Sequence, residues 1–211
     1  MDYPFDGLGS GFIAMRIKEL QTDPVLGEAL EFLKDYKWSP GASKDALIQQ
    51  AKELGFAPSM QWDEYFMLLA EVASVKSKDP STQVGVFLVG ADHVPLSLGF
   101  NGFPSGMPDV GYEDRENKYD RVIHGDMNAL MFAGRDKIRA APQPVTMYLY
   151  PFLTCHRCMV HAIQYGVRRF VIDEYAEKRD YHVKAERYAE ECGAQIIRLK
   201  RTHQVTISKR G

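Results

Sequence analysis

The sequence has no apolar run near the roughly 20 residues that a membrane span requires. Its opening residues, MDYPFDGLGSGF, are acidic and glycine-rich where a secretory leader would be basic and then apolar. Both absences predict a soluble, cytoplasmic protein with no membrane partner. An excess of basic charge is missing too: 26 Lys and Arg stand against 28 Asp and Glu. The balance leaves no global field to hold a nucleic acid, although the tail LKRTHQVTISKRG is locally basic, so a small substrate is the expected partner. Cysteine is scarce, and three residues in an intracellular chain do not suggest a disulfide framework. Internal repeats and low-complexity tracts are absent as well. What remains is a 211-residue chain, 45% apolar and 11% aromatic, able to bury a core in one domain plus an extension. Two of the cysteines, Cys155 and Cys158, stand at CxxC spacing, which points to metal or redox chemistry.

The first sixty residues differ in texture from the rest. LGEALEFLKDY and SKDALIQQAKELGF carry apolar residues at helical spacing; the second opens at Ser43, a capping residue, and closes at Gly55. The glycines of GLGSGF alternate, yet no strand precedes them and no GK[ST] follows, so a mobile terminus is expected there and not a phosphate loop. A boundary near Pro58 divides a helical extension, 1–58, from a domain spanning 59–211. That domain opens with a helix in WDEYFMLLAEVASVKS, with Phe66, Leu69, Ala70 and Ala73 on one face. Two β-rich runs follow, QVGVFLVG and VPLSLGF, and then a long polar loop from Asn101 to Arg121. The remainder reads as helix GDMNALMFAG, strand VTMYLY, helix HRCMVHAIQYG, strand VRRFVID, helix YHVKAERYAEECG and strand AQIIRL. Such an order predicts a layered α/β domain whose later, mostly parallel sheet is covered by helices on both faces.

The chemistry-bearing residues converge on that map. His124 precedes a helix start, and Cys155 and Cys158 flank the first turn of the helix after VTMYLY. Helix N-termini carry partial positive charge and unpaired donors, which favour thiolates. One imidazole and two thiolates form a good zinc set, and three protein ligands leave a fourth tetrahedral position for water, as catalytic sites do. A structural site would want a fourth ligand, for which Cys192, His156 and His161 are the candidates. Asp126 follows the histidine by two residues, in the spacing of the zinc-deaminase signature HxE followed by PCxxC.

From Trp62 to Leu199 the chain resembles the deoxycytidylate (dCMP) deaminases of the cytidine deaminase superfamily. WDEYFMLLAEVASVKSKDPSTQVGVFLV is similar to that family's opening helix and strand, GFNGFPSG to its GYNGxPxG loop, and ENKYDRVIHGDMNAL to the run into its HAExNAI helix. The resemblance implies a three-layer α/β/α sandwich on a mixed five-stranded sheet, zinc held by His124, Cys155 and Cys158, and a zinc-activated water attacking C4 of a cytosine nucleotide. It implies that Asp126 shuttles protons to ring N3 and the leaving amine, and that Asn101 hydrogen-bonds the nucleoside. For a 5'-phosphate, Lys76, Lys78 and Arg121 are unranked candidates. Family analogy adds a homo-oligomer and a nucleoside triphosphate effector; Phe100 replaces the tyrosine of the loop linked to that regulation.

Three departures fall at the site. The family glutamate is Asp126, the alanine before it is Gly125, and the proline before the first cysteine is Thr154, in a segment YPFLTC one residue longer than usual. Losing a methylene shortens the acid by roughly 1.5 Å, one carbon–carbon bond. A helix start brought closer by Gly125, a differently seated substrate, action on another base or modified nucleotide, or a zinc-stabilised binding or regulatory protein without catalysis would each accommodate the change.

Overall fold

The computed structural model describes residues 26–29, 43–54, 60–204 and 206. The chain divides into two compact units, 1–61 and 62–211. In the first, residues 26–29 are helical and α1 spans Lys44–Glu53. Ser43 caps α1: its side chain accepts a hydrogen bond from the Ala46 N–H, satisfying one of the donors that a helix start leaves unpaired. The GLGSGF segment, the boundary at Pro58 and most of LGEALEFLKDY lie outside the described residues.

The second unit begins with α2, Trp62–Ser74, and continues through β1 (Gly85–Val89), β2 (Pro95–Phe100), α3 (Arg115–Arg121), α4 (Gly125–Ala133) and α5 (Arg135–Ala140). It ends with β3 (Val145–Tyr150), α6 (His156–Tyr165), β4 (Val167–Asp173), α7 (Asp180–Glu191) and β5 (Gln195–Leu199). The strands form one sheet in the order β2-β1-β3-β4-β5. β1 runs antiparallel to both β2 and β3, whereas β3, β4 and β5 are parallel. The difference follows from the connections: ADH is short enough to reverse the chain, while α6 and α7 are crossovers that return it in the same direction.

Side-chain alternation in the central strands divides the core into two layers. Val86, Leu88, Met147, Leu149, Phe170 and Ile172 face α4, α6 and α7, contributed through residues such as Leu130, Met159 and Ala185. Phe87, Val89, Tyr148 and Val171 point the other way and meet Phe66, Met67 and Ala70 of α2. The result is a three-layer α/β/α sandwich on a mixed five-stranded sheet. Gly99 sets how closely α4 lies on β2, since a Cβ there would stand 2.2 Å from the Gly125 carbonyl oxygen and 2.4 Å from the Ala129 nitrogen. Two helices differ from the sequence expectation. α3 lies within the stretch read as loop, capped by Asp114, whose side chain accepts from the Asn117 N–H; α5, RDKIRA, buries only Ile138. Neither is long enough to display an apolar period.

Candidate metal centre and active-site cavity

Two helix starts build the site. His124 occupies the N-cap of α4 and Cys155 the N-cap of α6, both in extended backbone conformation, and neither side chain spends itself on capping. The carbonyls of these two residues already accept the first helical bonds, from Asn128 and Met159 at 3.0 and 2.9 Å. Cys158 lies one turn into α6. A short bridge between Gly102 and Ile123 pins the chain just before His124 against the loop that leaves β2.

The imidazole Nδ1 of His124 lies 3.7 Å from Cys155 Sγ and 3.5 Å from Cys158 Sγ. A tetrahedral zinc with its usual bond lengths of roughly 2.0 Å to nitrogen and 2.3 Å to sulfur would put such atoms about 3.6 Å apart, so the donor set fits that ion in kind and spacing. All three donor atoms fall within 4.8 Å of one another. The sulfurs share a charge: Cys155 is held well below the usual thiol range by a hydrogen bond from Cys158 and by the neighbouring imidazole, against the effect of burial. Cys158 rises in turn, as the donor to Cys155, as a buried group and as a neighbour of the Asp126 carboxylate. The Cys155 bond raises His124 above its ordinary value, with burial opposing. Among the described residues, the alternative fourth ligands do not join this group: Cys192 is exposed at the end of α7, and His161 donates from Nδ1 to the Arg157 carbonyl at 2.7 Å. His156 lines the adjoining cavity without entering the cluster.

That cavity, about 360 Å³, is within the usual range for small-ligand sites. Asp126 lies on its wall and is 4% exposed; its carboxylate accepts from the Thr154 hydroxyl and from the Met127 N–H at 3.0 Å. Asn101 also lines it, but its amide is engaged in holding the 79–84 segment. The amide nitrogen donates to Asp79 at 3.3 Å and to the Thr82 carbonyl at 2.9 Å, and the oxygen accepts from the Val84 N–H at 2.8 Å. Both donor hydrogens are thereby used, leaving one acceptor lone pair. Beside it, Lys118 donates to Asp79 and Ser81 from a buried position on α3. Burial works against the Asp79 charge, yet hydrogen bonds from Lys118, Ser81 and Thr82 hold its carboxyl below the usual range.

The candidate phosphate cations read from sequence lie elsewhere: Lys78 pairs with Asp109 at the surface, and Lys76 and Arg121 are exposed and absent from the cavity wall. Arg157 and Arg179 line it instead. Arg179 is fixed over the Phe152 ring at 4.1 Å and bonded to Glu177 and Tyr181, while Arg157 is exposed with no partner for its guanidinium among the described residues. Arg157 was open to sequence reading, between the two cysteines of CHRC; Arg179 carried no such signal.

The chain is similar to known proteins. The cytidine and deoxycytidylate deaminase zinc-binding region matches residues 60–174. Deoxycytidylate deaminase of Mus musculus is 32% identical over 130 residues, covering 57% of this chain and 70% of the relative. The Homo sapiens enzyme is 29% identical over 125 residues, covering 55% and 67%. The cyanophage S-TIM5 dCMP deaminase, solved in complex with dCMP and dUMP, superposes with a TM-score of 0.50 at 19% identity, over 67% of this chain and all of that one; this likeness concerns the fold. A chain matched over more than half its length belongs to the cytidine and deoxycytidylate deaminase zinc-binding family.

Proposed function

We propose that the protein is a zinc-dependent deaminase that converts a cytosine nucleotide, dCMP first among them, to the uracil nucleotide and ammonia. The observation that carries this reading is the meeting of His124, Cys155 and Cys158 beside a buried carboxylate, Asp126, in one cavity of nucleotide-accommodating size. The substrate is supported by relatives named for deoxycytidylate and by the cyanophage neighbour solved with dCMP and dUMP.

In this reading His124, Cys155 and Cys158 hold the zinc, and Asp126 is the catalytic acid and base. Bound zinc supplies Lewis-acid activation of water at neutral pH. Asp126 takes the proton that the attacking water sheds and gives it to ring N3; it then takes the proton of the new C4 hydroxyl and passes it to the exocyclic amine, a poor leaving group without it. Water adds at C4, the C4–N bond breaks and ammonia departs. Asn101 offers its remaining acceptor lone pair to the nucleoside while its other bonds keep the 79–84 wall in place. Arg157 and Arg179 meet the 5'-phosphate, the exposed guanidinium of Arg157 supplying a charge-assisted contact. Residues 59–211 constitute the deaminase domain and 1–58 an extension to it, in a cytoplasmic homo-oligomer.

Ammonia release from cytosine, guanine and adenine nucleotides at each phosphorylation level tests the assignment. Release from dCMP, with no release from the purine nucleotides, is expected. Turnover confined to a guanine or adenine compound would replace the substrate, and no turnover with any cytosine nucleotide would remove the activity.

A further inference from the structure

Three positions of the cavity wall act together. Asp126 and Thr154 are 4% and 3% exposed, and the Thr154 hydroxyl donates to one carboxylate oxygen of Asp126 while the Met127 N–H holds the other. The carboxylate also lies against the Cys158 thiol. A buried carboxylate with a hydroxyl donor on one oxygen and an amide donor on the other has its plane and its position fixed. Proline could not supply that donor, and a one-methylene-longer acid would carry its carboxylate roughly 1.5 Å past the hydroxyl.

Gly125 completes the arrangement. A Cβ at Gly125 would lie 3.2 Å from Phe100 Cα and 3.3 Å from the Asn101 nitrogen, tighter than ordinary contact. These are backbone atoms, so an alanine would displace the start of α4, and the acid it carries, by a few tenths of an ångström.

We propose that Thr154 is a positioning residue that holds the short acid Asp126 in working geometry, and that Gly125, Asp126 and Thr154 form one co-adapted unit replacing the longer acid of the family pattern. The proposal rests on the deaminase reading for its purpose, and on the hydrogen-bonded pair for its physical content.

The test is a double-mutant cycle between Thr154→Val and Asp126→Ala, read in two ways. In steady-state deamination of dCMP, Thr154→Val lowers kcat on the order of tenfold to a hundredfold, the range expected for a misplaced catalytic group, with KM nearly unchanged; Thr154→Ser keeps most of the parent rate. Asp126→Glu, although it restores the family residue, lowers kcat as well. In thermal melts of metal-stripped protein, Thr154→Val lowers Tm by about 3–10 °C when Asp126 is present and by about 1 °C or less in the Asp126→Ala background, because the hydroxyl then has no carboxylate to meet. Equal Tm shifts in the two backgrounds, an unaltered kcat in Thr154→Val, or a raised kcat in Asp126→Glu would overturn the proposal. A parent that releases no ammonia counts against the deaminase reading, and the melting coupling then decides the pair by itself.

Discussion

Replacing Lys118 by methionine removes the cation from the cavity wall while keeping an unbranched apolar stem. In the parent, the Lys118 ammonium donates to one oxygen of Asp79 at 2.9 Å, lies 2.8 Å from the other in an ion pair, and donates to the Ser81 hydroxyl at 2.7 Å. Asp79 is 2% exposed, so Lys118→Met leaves a carboxylate buried without its counter-charge. Breaking a buried pair in this way costs about 3–5 kcal/mol. Here the lower end applies, because Asp79 keeps donors from the Ser81 and Thr82 backbones, the Ser81 hydroxyl and the Asn101 amide. At about 2–4 °C per kcal/mol for a chain of this size, the expected loss is roughly 6–12 °C in Tm. Scanning calorimetry of metal-stripped protein keeps zinc release out of the comparison. Adding Asp79→Asn removes the stranded charge and should recover more than half of the loss. The pH dependence has a fixed sign: the folded Asp79 carboxyl lies below its ordinary value of 3.8, so its stabilisation is present above pH 3.8 and fades as pH falls below it. The gap between parent and Lys118→Met therefore narrows in that acid range. A drop of less than about 2 °C, or a double variant no more stable than Lys118→Met, would refute the reasoning.

Arg157→Ala should raise KM for dCMP roughly tenfold, as expected for losing a charged hydrogen bond, and leave kcat for deoxycytidine unchanged, measured by steady-state kinetics on both compounds. Elemental analysis should find about one zinc per chain in the parent and far less in Cys155→Ser, since two donors are too few for a stable tetrahedral site. Gly99→Ala places a methyl 2.2 Å from the Gly125 carbonyl oxygen; separation of α4 from β2 should destabilise the protein by about 1–3 kcal/mol, seen in urea unfolding.

Much of this organisation was legible in the residues. VTMYLY and VRRFVID match the strand bounds because each is a short β-rich segment, the first buried along nearly all its length and the second through Phe170, Val171 and Ile172, and Gly166, at φ 116°, ends α6 where the sequence places a stop. His124, Cys155, Cys158 and Asp126 could be brought together in advance because each precedes or opens a helix that follows a strand; β2 and β3, both antiparallel to the β1 between them, run in the same direction and send the chain off at the same end of the sheet. Long-range polar partnerships were harder to read. Nothing local tells that Lys118 on α3 meets Asp79, or that both donor hydrogens of Asn101 are taken by residues some twenty positions earlier. Nor did the sequence disclose that Thr154 and Asp126 are bonded: each looked like a separate departure, and only their approach across 28 positions makes them a pair.

The most direct measurement incubates the zinc-loaded protein with dCMP and follows ammonia and dUMP together, for the parent and for Asp126→Ala. Equimolar ammonia and dUMP from the parent, with turnover lost in Asp126→Ala while its zinc content stays at the parent level, is the predicted result. A parent that releases no ammonia, or an Asp126→Ala variant that turns over as fast as the parent, would contradict the account.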